Sequence, residues 1–198
     1  MGVSDDTPGS LLVAGLTQAG ETLACAESLT AGLVAATVAD TPGASAVLLG
    51  GVVAYAAEVK TLLLDVPADL IARVGTVDAS VAVAMAEGVR RRLGATWGLA
   101  TTGVAGPGPS EGKPAGTVHV AVSGPSGTAT RALELKGTRA QIRSATVEAV
   151  LRLAVDETGA THRTPAPPWE PRGTVGLSGH PGDDPGGDPA TDHPTPAT

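Results

Sequence analysis

The sequence predicts an α/β sandwich built on a mixed sheet. Short apolar segments with strand character alternate with helical segments over most of the chain, which is typical of parallel strands joined by helices. Two further apolar segments, Thr117–Val122 and Thr128–Lys136, flank the turn-forming run Ser123–Gly127. Such a pair predicts an antiparallel hairpin, so parallel and antiparallel strands are expected in one sheet.

Helix ends are marked by capping residues and by the spacing of the apolar side chains. Thr138 and Gln141 form the capping-box pattern, and Asp78 precedes a long helical segment as its N-cap. The predicted elements are, in chain order, a helix over 7–20, a strand over 22–26, a helix over 30–39, a buried strand over 48–55, helices over 58–64, 67–74 and 78–93, a strand over 97–102, the hairpin, and a helix over 138–155.

The composition changes near residue 160. The last 39 residues hold nine of the 16 prolines and three of the four histidines, with few apolar side chains. Such a segment buries too little apolar surface to offset the entropy of ordering. We therefore expect a folded domain over 1–159 and a disordered tail, rich in Pro, Gly and Asp, over 160–198. The tail histidines are too widely spaced to predict a metal site.

Charge and composition exclude several classes of function. The formal net charge is −7 and aromatic residues make up 2% of the chain, which argues against a nucleic-acid-binding protein. A single cysteine, Cys25, excludes an internal disulfide and a cysteine-based zinc site. No segment is long and apolar enough to span a membrane, and the acidic start does not resemble a signal peptide. We expect a cytoplasmic protein without a metal or cofactor.

Ser28 is the first candidate for a catalytic group. It follows the first predicted strand and precedes a helix, which places its hydroxyl at the edge of the sheet where α/β proteins bind ligands. The free N–H groups of that helix could stabilise an oxyanion or a phosphate. His119 is the only histidine of the domain and lies within a strand, so a Ser-His-Asp triad is not expected. Ser28 could instead be a simple N-cap.

Lys60 is the second candidate. The chain has only three lysines among its 13 basic residues, and Lys60 begins a helix just after Tyr55 and the second strand. Unlike arginine, a desolvated lysine can lose its proton and activate a serine. A solvated helix lysine is the alternative, as is a core or rim position for Tyr55.

A Gly/Pro-rich loop follows the strand 97–102. It lacks the spacing and the Ser or Thr of a nucleotide-binding P-loop, but its backbone N–H groups could hold a phosphate. Arg139 and Arg143, in the first turns of the last helix, could pair with the same group. The alternatives are an ordinary turn and two solvated arginines.

Taken together, these segments resemble the C-terminal domain of the competence/damage-inducible CinA proteins, which also occurs alone as a nicotinamide-nucleotide amidase (PncC-like). The resemblance covers about residues 8–155. The matching stretches are 26–32 (A-E-S-L-T-A-G), 55–60 (Y-A-A-E-V-K), 102–107 (T-G-V-A-G-P), 113–118 (K-P-A-G-T-V) and 137–139 (G-T-R).

The resemblance implies a three-layer α/β/α fold and the hydrolysis of nicotinamide mononucleotide to nicotinate mononucleotide and ammonia. It implies no metal, no cofactor and, as a possible partner, a second copy of the chain. Ser28 would be the nucleophile and Lys60 its base. The remaining expected site residues are Tyr55 and Thr102 in the catalytic group, and Glu27, Thr30, Gly103, Ala105, Gly106 and Arg139 at the substrate.

Departures from the family pattern leave a second function open. Ala57 and Gly50 stand where the family usually has Asn and Arg, two polar groups expected near the site. A catalytically weak or inactive nucleotide-binding protein of the same family is therefore the alternative to an amidase. A structural partner in a larger assembly is a third hypothesis.

Overall fold

The structure, a computed structural model, describes residues 7–160. It consists of six helices and five strands, with one short 3₁₀ turn at Ala44–Ala46. The elements are α1 (Pro8–Ala19), β1 (Leu23–Glu27), α2 (Leu33–Ala39), β2 (Leu48–Val53), α3 (Ala57–Leu64), α4 (Ala68–Val74), α5 (Ala79–Leu93), β3 (Trp97–Gly103), β4 (Thr117–Gly124), β5 (Gly127–Glu134) and α6 (Arg139–Thr158).

The five strands form one mixed sheet in the order β2-β1-β3-β4-β5. Strand β1 runs parallel to both β2 and β3, whereas β4 is antiparallel to β3 and to β5. One apolar core joins the sheet to α1, α2 and α6, and a second joins its other face to α3, α4 and α5. The predicted three-layer α/β/α sandwich with a mixed sheet is confirmed.

Side-chain caps define the starts of three helices. The Thr7 and Asp78 side chains accept hydrogen bonds from the first turns of α1 and α5. Thr138 and Gln141 form both bonds of the capping box at α6. Local sequence therefore determines where these helices begin.

Strand β2 is not the buried strand that its apolar sequence predicts. It lies at the edge of the sheet with alternating burial, and Leu49 and Val53 are each 49% exposed. An apolar run is typical of a strand in the interior of a sheet, with strands on both sides and helices on both faces. Strand β2 pairs with β1 alone, so it is less covered than an interior strand.

The boundaries of the hairpin turn, of α6 and of the predicted tail also move. The hairpin turn contains Pro125 and Ser126 alone, because Gly124 pairs with Gly127. Helix α6 continues beyond Val155 to Thr158. Ala160, predicted as the first residue of the tail, is only 2% exposed and belongs to the core. The rest of the predicted tail lies outside the described residues.

The strand order determines where a crevice opens at the edge of the sheet. The β1–β2 connection passes through α2 on one face, and the β2–β3 connection passes through α3–α5 on the other. The order of the strands therefore reverses at β1, and a crevice opens at the carboxyl ends of β1 and β3. Ser28 directly follows β1 at this point.

Candidate active site

A cavity of about 350 Å³ lies at the carboxyl edge of the sheet. Its walls are the turn after β1, Tyr55, the loop before α5, the loop after β3 and the first residue of α6. Six of the predicted site residues line it, namely Ser28, Tyr55, Gly103, Ala105, Gly106 and Arg139.

Ser28 is not a helix N-cap. Gly32, with φ of 97°, occupies that position, because α2 begins at Leu33 rather than near Thr30 as predicted. The Ser28 N–H donates to the carbonyl of Thr101 on β3 at 3.0 Å, which fixes the residue to the neighbouring strand. Its hydroxyl therefore serves no capping role and lines the cavity.

Lys60 lies in α3 with no exposed surface. Its Nζ lies 3.1 Å from the Ser28 Oγ, 2.7 Å from the carbonyl oxygen of Ala54 and 3.3 Å from that of Tyr55. No carboxylate of the described residues forms an ion pair with it. The predicted pair of Ser28 and Lys60 is thus in direct contact, although 32 positions separate the two residues.

Burial lowers the pKa of Lys60 from 10.5 to about 8, and the negative charge of Glu111 partly opposes this shift. The three neighbours of Nζ suit both protonation states. An ammonium has three donors for the two carbonyls and the Ser28 oxygen. A neutral amine donates to the two carbonyls and keeps its lone pair for the proton of the Ser28 hydroxyl.

Arg139 joins two walls at the rim of the cavity. Its guanidinium donates to the Tyr55 hydroxyl at 2.7 Å and to the Gly106 carbonyl at 3.0 Å. The side chains of Tyr55 and Arg139 are exposed, so solvent and ligands reach them. Arg139 is positioned to meet an anion that enters the cavity.

Glu27 does not lie at the cavity, contrary to the sequence-based expectation. Its carboxylate accepts hydrogen bonds from the N–H groups of Gly32, Val34 and Ala35 at 2.9–3.0 Å. The start of α2 is therefore already occupied by an anion. The expectation that this helix start would bind a phosphate or an oxyanion is wrong.

The side-chain hydroxyls of Thr30 and Thr102 are also turned away from the cavity. The Thr30 and Thr101 hydroxyls, both buried, lie 2.7 Å apart. The Thr102 hydroxyl donates to the carbonyl of Thr76 at 2.7 Å. Both hydroxyls hold backbone segments of the walls together, rather than contacting a substrate as predicted.

Sequence reasoning missed the residues that hold the loop before α5. The Glu111 carboxylate accepts from the N–H and the hydroxyl of Thr76, each at 2.7 Å. Lys113 donates to the carbonyls of Val74 and Val77. The scarcity of lysine, which indicated Lys60, applies equally to Lys113 and could have drawn attention to this loop.

The comparisons with known proteins identify the family of the chain. The family model of the CinA C-terminal domain matches residues 6–158. The chain belongs to this family.

The chain resembles a CinA-like protein of Frankia casuarinae with 51% identity over 77% of the chain and 35% of that protein. It resembles a CinA-like protein of Anaeromyxobacter dehalogenans with 52% identity over 76% of the chain and 38% of that protein. The chain therefore spans about a third of the length of these curated relatives.

The chain covers two solved structures of the CinA family almost completely. The competence/damage inducible protein CihA from Agrobacterium tumefaciens matches with a TM-score of 0.72 and 31% identity, over 79% of this chain and 98% of that one. The competence damage-inducible protein A from Klebsiella pneumoniae matches with a TM-score of 0.74 and 27% identity, over 79% of this chain and 100% of that one.

One of the two departures from the CinA pattern lies away from the site. Gly50 pairs with Ala24 near the start of β1, and a Cβ there would face Leu93 of α5 at 3.8 Å. The expectation that this position lies near the cavity is wrong. Ala57, by contrast, begins α3, the helix that carries Lys60.

Within residues 7–160 of this CinA domain, no group of His, Cys, Asp and Glu side chains is arranged to hold a metal ion. None of the helices in the same range is long and apolar enough to cross a membrane.

Proposed function

We propose that the chain is an amidohydrolase that converts nicotinamide mononucleotide and water to nicotinate mononucleotide and ammonia, with Ser28 as nucleophile and Lys60 as base. The contact between the buried Lys60 Nζ and the Ser28 Oγ carries the proposal. A lysine without surface exposure or an ion-pair partner loses its proton far more readily than a solvated one.

In the acylation half-reaction, the neutral Lys60 takes the Ser28 proton as Oγ bonds to the carboxamide carbon. The π electrons move to the carbonyl oxygen and form an oxyanion. When this oxyanion collapses, the C–N bond breaks, and the nitrogen takes the proton from Lys60 and leaves as ammonia. The product of this half-reaction is an ester of Ser28, and Lys60 is neutral again.

Water completes the cycle. Lys60 takes a proton from a water molecule that attacks the ester carbonyl, and the second oxyanion collapses with cleavage of the bond to Ser28 Oγ. The Ser28 oxygen recovers its proton from Lys60. Nicotinate mononucleotide forms as the carboxylic acid, which releases its proton to the solvent. One water is consumed and one ammonia is released, with no redox change.

The phosphate of a mononucleotide has local donors at the rim. The chain is acidic, at −7, so long-range attraction does not favour a dianion. Arg139 lies at the cavity. The backbone N–H groups of Ala105, Gly106 and Gly108, which also line it, have no hydrogen-bond partner within residues 7–160. Charge-assisted hydrogen bonds from these groups are each worth about 1.5–3 kcal/mol.

A nucleotide-binding protein with weak or no turnover is the second candidate. It is favoured by the protonation of Lys60, whose pKa of about 8 leaves the ammonium as the major form at neutral pH. An ammonium donates to Ser28 and cannot accept its proton.

Ammonia release from nicotinamide mononucleotide by the purified chain separates these candidates. We expect release by the wild type and a loss of about 10³-fold or more in kcat for Ser28→Ala. Ser126→Ala, in the exposed β4–β5 turn, is the matched control and should behave as the wild type.

Free nicotinamide, which lacks the phosphate, should be a poor substrate. Substantial activity in Ser28→Ala contradicts the mechanism. Ligand-induced thermal stabilisation without ammonia release would instead support the binding protein.

A further inference from the structure

The turn after Ser28 has two backbone donors without a partner. The Ala31 N–H donates to the Ser28 carbonyl at 3.1 Å, which closes a β-turn with Leu29 and Thr30 at its centre. Within the described part of the chain, the N–H groups of Leu29 and Thr30 have no hydrogen-bond partner. Both residues are buried, so unpaired donors here are costly unless a ligand or water meets them.

Arg143 holds the opposite side of this turn. Its Nε donates to the Leu29 carbonyl at 2.9 Å and its Nη2 donates to the Thr30 carbonyl at 2.7 Å. One guanidinium thus binds two consecutive carbonyls with charge-assisted bonds. Sequence reasoning considered Arg143 as a phosphate ligand, but its side chain is engaged here and it does not line the cavity.

Because the peptide bond is planar, the contact between Arg143 and the Leu29 carbonyl fixes the direction of the Thr30 N–H. The Leu29 carbonyl and the Thr30 N–H belong to one trans peptide unit and point in opposite directions. Because the carbonyl points at Arg143, the Thr30 N–H points away from it. The Thr30 hydroxyl contact with Thr101 and the Ser28 N–H bond to the Thr101 carbonyl fix the turn to β3 as well.

We propose that Arg143 is a positioning residue that fixes the turn at Leu29 and Thr30, so that their two backbone N–H groups donate to the oxyanion formed when Ser28 attacks the substrate carbonyl. The N–H of the residue after a nucleophile serves this purpose in other hydrolases. The inference rests on the proposed function for its reaction, but not on the identity of the substrate.

Steady-state kinetics of Arg143→Ala and Arg143→Lys with nicotinamide mononucleotide provide the test. Loss of one oxyanion donor typically lowers kcat about 10²–10³-fold, so we expect kcat to fall about 10²-fold in Arg143→Ala, with little change in KM. Lysine retains the charge but lacks the fork that reaches two carbonyls, so Arg143→Lys should lose most of the same activity. Added guanidinium chloride, compared with sodium chloride at equal ionic strength, should partly restore kcat of Arg143→Ala.

Arg152→Ala is the matched control, since Arg152 lies on the same helix in an exposed pair with Glu148. It should retain wild-type kinetics. Full kcat in both Arg143 variants, or a loss confined to KM, overturns the inference while leaving the proposed amidase intact.

A second substrate distinguishes failure of the proposed function from failure of this inference. Acylation of Ser28 by 4-nitrophenyl acetate, followed as a burst of 4-nitrophenolate, needs the same oxyanion donors but no nucleotide. If the wild type hydrolyses no nicotinamide mononucleotide yet shows a burst that Arg143→Ala slows, the inference stands and the substrate is wrong. If the burst is equal in the wild type and Arg143→Ala, or absent from both, the inference fails.

Discussion

At the level of single residues, the proposed chemistry depends on the protonation of one buried amino group. Burial brings the pKa of Lys60 to about 8, and its three polar neighbours accommodate the charged and the neutral form. Only the neutral form can accept the Ser28 proton. In the proposed mechanism, the fraction of active enzyme therefore follows the deprotonation of this one side chain.

Activity should rise with pH through about 8. We expect the acid limb of kcat/KM to follow the Lys60 pKa, because kcat/KM reports groups of the free enzyme. Lys60→Arg should be about as inactive as Lys60→Ala, since arginine retains the charge but cannot act as a base near neutral pH. An active Lys60→Arg variant would show that only positive charge is needed at this position.

The same lysine should make stability depend on pH. Its folded-state pKa is lower than the unfolded value of 10.5, so between about pH 8 and pH 10.5 the unfolded chain binds more protons. Stability contributed by this group therefore rises with pH across that window. At about 1.4 kcal/mol per pKa unit, the full gain is roughly 3 kcal/mol.

Urea unfolding of the wild type and Lys60→Met at pH 7 and pH 10 measures this effect. The wild type should gain free energy of unfolding relative to the variant at the higher pH. Equal differences at the two pH values would mean that Lys60 titrates normally in the folded protein.

At the level of elements, a buried carboxylate organises the start of α2. Glu27 is 2% exposed and accepts three backbone N–H groups from Gly32, Val34 and Ala35. This contact fixes the direction in which the chain leaves the Ser28 turn. Helix α2, with seven residues, depends on such a contact more than a long helix does.

Glu27→Ala should lower the free energy of unfolding by about 3 kcal/mol or more, because three backbone donors at the start of α2, one of them buried, lose a charged acceptor. Glu58→Ala is the control, since Glu58 lies exposed in the first turn of α3. The control should change stability by less than about 0.5 kcal/mol. Similar unfolding curves for the two variants would contradict the capping role of Glu27.

Local rules predicted the starts of the three helices that have side-chain caps, α1, α5 and α6, because an N-cap is a contact between residues two or three positions apart. They could not predict that β2 is an edge strand, since the order of strands is a property of the whole chain. Residue type and position brought Ser28 and Lys60 to attention. The chain fold alone brings their side chains together.

The errors at Glu27, Thr30 and Thr102 have a common origin. All three belong to motifs that resemble the family pattern, but a motif does not say which way a side chain points. Successive residues of a strand face opposite sides, so adjacent residues have different surroundings. Thr101 contacts the Thr30 hydroxyl, whereas Thr102 contacts the loop before α5.

At the level of the whole molecule, the residues that line the candidate site lie well inside the described range 7–160. The side chains that form it and hold its walls lie between Glu27 and Arg143 in sequence. Near the end of the described chain, Ala160 packs close to Gly15 of α1.

Removal of residues 161–198 should leave kcat/KM and Tm nearly unchanged, because that segment is poor in apolar side chains. Truncation after Leu151, which removes the last two turns of the core helix α6, should abolish the folded state and serves as the comparison. A large fall in Tm or kcat/KM for the first truncation would mean that the removed segment contributes to the domain.

Mass spectrometry of the acid-quenched enzyme during turnover of nicotinamide mononucleotide tests whether Ser28 is the nucleophile. We expect an adduct with the mass of the nucleotide less ammonia, localised to the peptide containing Ser28 and absent from Ser28→Ala. Ammonia release by Ser28→Ala at the wild-type rate, or an adduct on a different residue, would contradict this role of Ser28.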